Sequence, residues 1–360
     1  MNFSVLIGIS STHASDARLS LLSSFLFVLG YIFAAQSFRH SWSAWVMIIC
    51  FILIGAGTTA SYLSGVSAAA KNYPHRRGLA ISLTISSFGL SGLWISQLAS
   101  WFFIKEDVVQ VDRLFNFLGI LLGVVGIIGW IGLRIIPQSD EEEEPLIQGP
   151  LLTTTLKEFI RDWTAYVYLF SLILLLGAGD LWVNTMGTLL YSLDPGGNPA
   201  NQVSIFAFFS TVSRLLFGAL CDFLPSRIPR LWLFVIPAVI MAATHLLIAV
   251  GVFEIWPFNI ASLLIGIAYG SLFTVAPVLT SSSWGLENFA TFWGILAYSP
   301  MIGALVFGCL YSSFYDSRAR DGVCFGNGCY RDAYLISGGC SIIGILGMIV
   351  VWRGWKLKRN

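Results

Sequence analysis

The sequence predicts an all-α polytopic membrane protein, and three observations carry that prediction. Apolar residues fill 56% of 360 positions, charged residues only 11%, and the mean hydropathy is +0.78. A water-facing domain carries about 25% charged residues, so most of this surface faces something other than water. Ten stretches are each apolar over about the 20 residues that a helix needs to cross a hydrocarbon core, and one long polar break divides them.

The ten predicted spans are 19–38, 44–70, 79–103, 114–136, 164–191, 202–222, 231–252, 258–280, 288–313 and 333–352. Short loops join most of them, which makes successive spans antiparallel neighbours. The break at 137–161 holds Asp140, Glu141 to Glu144 and Pro145 and reads as a solvated acidic linker on the cytosolic side. It separates a bundle of four spans (19–136) from one of six (162–352), with an N-terminal segment 1–18 and a basic tail 353–360. Met1 to Ser10 has no basic stretch and only a short apolar run, so it does not read as a cleaved signal peptide.

Lys and Arg set the orientation. With Arg18 cytosolic, 13 of the 20 Lys and Arg fall on the cytosolic side, six fall outside, and Arg214 lies within a span. The linker and the C-terminus are then cytosolic. Cys50, Cys221, Cys309 and Cys340 lie in or at the ends of spans and read as small apolar filler. Cys324 and Cys329 share a non-cytosolic loop, where an oxidising lumen would let them close a small disulfide.

A net charge of +1 supplies no basic field for nucleic acid. The chain has no glycine-rich phosphate loop, no His-Glu-x-x-His and no Cys-x-x-Cys. No cofactor, metal or enzymatic activity is expected.

Several stretches carry a family likeness. Asn72-Tyr73-Pro74-His75-Arg76-Arg77-Gly78 is followed by Phe88-Gly89-Leu90-Ser91-Gly92. Gly177-Ala178-Gly179-Asp180-Leu181-Trp182-Val183-Asn184 lies in the fifth span. Ser213-Arg214 precedes Gly218 and Asp222, and Gly266-Ile267-Ala268-Tyr269-Gly270 precedes Pro277 and Trp284-Gly285. Together these resemble the nodulin-like and monocarboxylate-transporter-like members of the major facilitator superfamily, and above all the fungal monocarboxylate transporter homologues. The resemblance implies a major facilitator fold with about ten of its usual twelve helices. It aligns the first span with the third helix of that plan, so the first two helices have no counterpart in residues 1–18. The expectation is two further spans encoded upstream, or a genuinely shortened product.

Transporters of this plan bind solute near the midplane, between helices that rearrange around it. A charge at that depth costs at least ~2.5–3.5 kcal/mol, so it must face a cavity or a partner. Asp180 lies about 16 residues into its span, roughly 24 Å at 1.5 Å per residue. Arg214 lies near mid-depth, and its spacing by four from Gly218 and Asp222 puts the three on one face. Two readings of Arg214 are open. In one, its guanidinium is a fork for a carboxylate or other anion, with Asp180 as proton or charge partner. In the other, it pairs with Asp222 or helix-end carbonyls and fixes packing. Monocarboxylate carriers place an acid four residues before the corresponding arginine, and here that position is Ser210.

Asn184, Tyr269 and Trp182 are further candidates to line a cavity, while His245 reads as a packing residue and Glu254 as solvated. The resemblance also implies gating roles for the loop motifs at Arg77, Gly78, Gly218 and Asp222. Glu142, Leu146 and Ile147 fit an acidic-dileucine sorting signal that adaptors would read, and the resembling group resides on the vacuolar membrane. The expected function is secondary transport of a small organic solute, an anion if Arg214 binds it, with a proton as candidate coupling ion. The alternatives are a transporter-like solute sensor and an inactive truncated transporter.

Overall fold

A computed structural model describes residues 16–73, 76–105, 108–133, 154–193, 199–224, 229–252, 257–319 and 324–359. Its helices are α1 (Asp16–Arg39), α2 (Ala44–Asn72), α3 (Arg77–Phe102), α4 (Val111–Gly132), α5 (Leu156–Arg161) and α6 (Trp163–Leu193). They continue as α7 (Pro199–Phe223), α8 (Arg230–Ala249), α9 (Asn259–Trp284), α10 (Phe289–Leu296), α11 (Ser299–Arg318) and α12 (Arg331–Arg359). Among the described residues, nine segments are long and apolar enough to cross a membrane, with α10 and α11 forming one of them. The 26-residue α3 brings the long helices to the ten that hydropathy predicts. Sustained apolar runs dictate this result, because a backbone in hydrocarbon must satisfy its own hydrogen bonds.

Four local features differ from the predicted outline. The span 288–313 is two helices, because Pro300 enters the first turn of α11 and cannot continue the ladder of α10. A two-residue ribbon pairs Ile104–Lys105 with Val108–Val109 between α3 and α4. The residues of the basic tail are helical, since α12 runs on through Arg353 to Arg359. The linker region ends in the short helix α5. Its N-cap Thr155 accepts from the Glu158 amide, and the Glu158 carboxylate accepts from the Thr155 amide. This reciprocal capping satisfies two otherwise orphaned donors.

Small residues set the closest approaches. Ser20 and Ser24 of α1 donate to the carbonyls of Gly126 (2.9 Å) and Gly123 (2.6 Å) of α4. α6 meets α11 at Gly177, where a Cβ would lie 2.5 Å from the Gly303 Cα. Helix α3 packs chiefly on α7, then on its sequence neighbour α2, with α9 beside it. That crossing positions the site described next.

Candidate functional site

The α3–α7 crossing begins at the helix ends and runs inward. Gly78 and Leu79 occupy the first turn of α3, whose amides have no partner within their own helix. The Asp222 carboxylate accepts both, Gly78 N at 2.8 Å and Leu79 N at 2.8 Å. The α3 dipole adds to this attraction. A Cβ at Gly78 would overlap the Gly218 carbonyl and lie 2.9 Å from Asp222 Oδ1. A Cβ at Gly218 would overlap Ser82 and lie 2.6 Å from the Gly78 carbonyl. Glycine at both positions is therefore what lets the two backbones approach within reach of the carboxylate. Arg77, whose charge interacts with those of Arg230 and Asp222, flanks the same junction.

Two helical turns further in, Arg214 projects from the same face of α7 into α3. It is 8% exposed. Its guanidinium lies against Gly89, where a Cβ would overlap Nη1, and Nη1 donates a long bond to the Ile85 carbonyl at 3.5 Å. Nε has no hydrogen-bond partner. Asp222 is engaged by the α3 amides, and the hydrogen bond of Arg214 runs to a helix carbonyl instead. Among the described residues, no carboxylate forms an ion pair with Arg214.

Asp180 is held from the other side. A Cβ at Gly179 would overlap the Tyr269 ring, so glycine there lets the ring lie flat against α6. The Tyr269 hydroxyl then donates to Asp180 Oδ1 at 2.6 Å, while Oδ2 is buried without a partner. Asp180 of α6 and Tyr269 of α9 thus form a hydrogen-bonded pair, and Tyr269 also feels the charge of Arg214 on α7. Asn184 is exposed one turn beyond Asp180, and among the described residues no hydrogen bond joins it to Asp180, Tyr269 or Arg214. Trp182 is fully buried against Phe258 at a ring separation of 5.2 Å, which makes it packing.

Two residues that sequence reasoning missed belong here. Trp293 Nε1 of α10 donates to Tyr62 Oη of α2 at 3.3 Å, and the charge of Arg214 reaches Tyr62. Both are aromatic residues within apolar helices and carry no local signal that sets them apart.

Elsewhere, His245 is fully buried, with Nδ1 2.9 Å from Ser337 Oγ, its ring 5.1 Å from that of Tyr334, and Nε2 without a hydrogen-bond partner. Cys324 and Cys329 are joined by a disulfide with Cα atoms 5.8 Å apart. Glu142, Leu146, Ile147 and Glu254 lie outside the described residues. No group of His, Cys, Asp or Glu suited to a metal ion occurs among the described residues.

The family profile of the Major Facilitator Superfamily matches residues 3–308. The chain belongs to that superfamily. Within this transporter superfamily it is similar to fungal proteins called probable transporter MCH1. It is 34% identical to the one from Wickerhamomyces anomalus, over 83% of this chain and 66% of that one. The protein from Debaryomyces hansenii is 31% identical over 95% of this chain and 79% of its own length. The one from Saccharomyces cerevisiae is 29% identical over 98% and 82%. The chain thus spans about two thirds to four fifths of these relatives. Among solved structures, the fucose:proton symporter FucP of E. coli superposes with a TM-score of 0.68 at 12% identity, covering 97% of this chain and 87% of that one. The human organic anion transporter MFSD10 gives 0.65 at 13% identity, covering 96% and 80%. At such identities these two likenesses speak for the superfamily fold alone.

Proposed function

We propose that this protein is a secondary transporter of a small organic anion, with Arg214 as the anion-binding fork and Asp180, held by Tyr269, as the proton or charge partner. The observation that carries this reading is the unpaired guanidinium. Arg214 is 8% exposed, has a partnerless Nε and has no carboxylate ion pair among the described residues. Leaving such a charge buried and uncompensated costs several kcal/mol. A bound carboxylate offers two acceptors in the geometry of the planar fork, which an ammonium cannot copy. Asp180 keeps one oxygen free to carry a proton near the bound anion.

The test is uptake of mono- and dicarboxylates by vesicles containing the protein, normalised to monodisperse protein. Arg214→Lys is expected to abolish most uptake while leaving the folded yield nearly unchanged. Full uptake by that variant, or a loss that merely follows folded yield, rejects the anion site.

The bias of Lys and Arg supports a cytosolic location for the Asp222 end, the linker and the C-terminus. The acidic-dileucine pattern at Glu142, Leu146 and Ile147 supports residence on the vacuolar membrane through sorting adaptors. A fluorescent fusion whose location is unchanged by Leu146→Ala with Ile147→Ala rejects the sorting role.

A further inference from the structure

Helices in an apolar setting commonly return Ser and Thr hydroxyls to a carbonyl one turn back along their own backbone. α3, α7 and α9 do so at Ser82, Thr84, Thr211, Ser213, Ser271 and Thr280. Ser86, Ser210 and Thr274, which are 3%, 2% and 0% exposed, do not. Among the described residues of these three helices, theirs are the buried hydroxyls that have no hydrogen-bond partner. An orphaned buried hydroxyl costs free energy, so three in one neighbourhood call for a cause.

Backbone register puts all three beside Arg214. Arg214 Nη1 donates to the carbonyl of Ile85, which is bonded directly to Ser86. The guanidinium also abuts Gly89, one turn from Ser86 on the same face of α3. Ser210 lies one turn before Arg214 on α7. Helix α8 returns between α7 and α9, so those two run parallel, and their contacts keep a constant offset. Ser262 donates to Gln202 Oε1, 60 positions away, at 2.6 Å. A Cβ at Gly266 would lie 2.8 Å from the Phe206 carbonyl oxygen, and one at Gly270 would overlap the Ser210 carbonyl. The next turn of that series sets Thr274 level with Arg214. Helices α3, α7 and α9 also pack on one another pairwise. The partnerless Nε of Arg214 and three partnerless hydroxyls therefore share one three-helix junction.

We propose that Ser86, Ser210 and Thr274 are solute ligands alongside Arg214, and that they select a monoanionic tetrahedral oxyanion, a sulfonate or singly protonated phosphonate, over a carboxylate. The inference rests on the anion reading of Arg214 and names the headgroup. A carboxylate accepts hydrogen bonds close to its own plane, which suits one guanidinium fork but not donors arriving from three helices. A tetrahedral headgroup spreads three oxygens about its axis and meets hydroxyls from several directions. One guanidinium balances one negative charge. Each hydroxyl donates to the bound headgroup instead of to its own helix.

The test titrates the full chain in lipid nanodiscs with ethanesulfonate and with propionate, both singly charged at neutral pH and alike in their ethyl group. The parent is expected to bind ethanesulfonate roughly two- to tenfold more tightly, the gain from one further net hydrogen bond. Ser86→Ala, Ser210→Ala and Thr274→Val are each expected to remove most of that margin and to leave propionate binding unchanged, while Thr274→Ser keeps it. Ligand-free melting temperatures should not fall in Ser210→Ala or Thr274→Val, because neither hydroxyl has a bond to lose. Equal affinities in the parent, or hydroxyl variants that weaken both anions alike or neither, overturn the headgroup assignment. A fall in melting temperature with selectivity intact returns the hydroxyls to packing. Arg214→Lys separates the two proposals, since it should weaken both anions whatever the hydroxyls do. If that variant binds both as the parent does, or the parent binds neither, the anion site itself is rejected.

Discussion

Asp222, on the last turn of α7, accepts the amide of Gly78 on the first turn of α3 at 2.8 Å, and so caps a helix through a residue 144 positions earlier in the chain. One residue thereby satisfies two amides at the N-terminus of α3. The contact joins early and late helices through a charge and a dipole, which can be made and broken without repacking a core.

Gly78→Ala should separate that junction by steric overlap, because the nearest atoms include the Gly218 backbone carbonyl, which cannot rotate away. Overpacking of this kind costs roughly 1–3 kcal/mol. Asp222→Asn keeps the shape and loses the charge, worth ~0.3–1 kcal/mol at a helix N-terminus. Thermal unfolding in detergent should rank parent, Asp222→Asn and Gly78→Ala in falling order of stability. A Gly78→Ala protein as stable as the parent would refute the close approach.

Gly89→Ala should act differently, since its Cβ meets only the flexible end of Arg214. The guanidinium can swing aside, so stability should change by less than about 1 kcal/mol, as for a tolerated side-chain shift. Organic-anion uptake should nonetheless fall, with the loss appearing in apparent affinity. Unaltered uptake together with unaltered stability would remove Gly89 from the site.

The disulfide loop offers a redox test. The Cys324 amide donates to the Tyr315 hydroxyl at 3.2 Å, the Gly326 amide to the Ser192 carbonyl at 3.1 Å, and Arg318 pairs with Asp332. The loop thus fastens the ends of α6, α11 and α12. Closing so short a loop contributes on the order of 2 kcal/mol. A reductant should lower the melting temperature of the parent and leave that of Cys324→Ser with Cys329→Ser unmoved. Equal sensitivity in both proteins would show that the bond contributes nothing.

Glu158 supplies a pH dependence outside the spans. Hydrogen bonds from the Thr155 amide and hydroxyl hold its carboxyl below the ordinary carboxylate value. The folded value is the lower one, so the capping contribution is complete above the unfolded value and is lost as pH falls through the folded value. Amide exchange across 156–159, corrected for intrinsic rates, should stay slow from neutral pH into the acid side of the normal carboxylate range. Glu158→Gln should exchange faster at neutral pH and lose that acid dependence. If the variant and the parent exchange alike, the cap does not hold α5.

Much of this molecule was legible in its residues alone. Apolar run length set the long helices, because hydrocarbon thickness and the rise per residue are fixed and local. The spacing of Arg214, Gly218 and Asp222 put all three on one face, and that face does meet α3. The motif around Gly179 and Asp180 marked a polar position in an apolar span, whereas the break between α10 and α11 went unread, because Pro237 and Pro277 lie inside unbroken helices and Pro300 does not differ from them in sequence. The tertiary structure decided the partners. Whether Asp222 would pair with Arg214 or cap α3, and whether Asp180 would meet Arg214 or Tyr269, depends on how each helix is rotated and how closely it approaches its neighbour. Such choices join residues 89 to 231 positions apart. They arise from glycine contacts summed across several helices, so no window of sequence contains them. Tyr62 and Trp293 show the point most plainly. In sequence they are aromatics among aromatics, and only the packing of α2 against α10 gives them a common place.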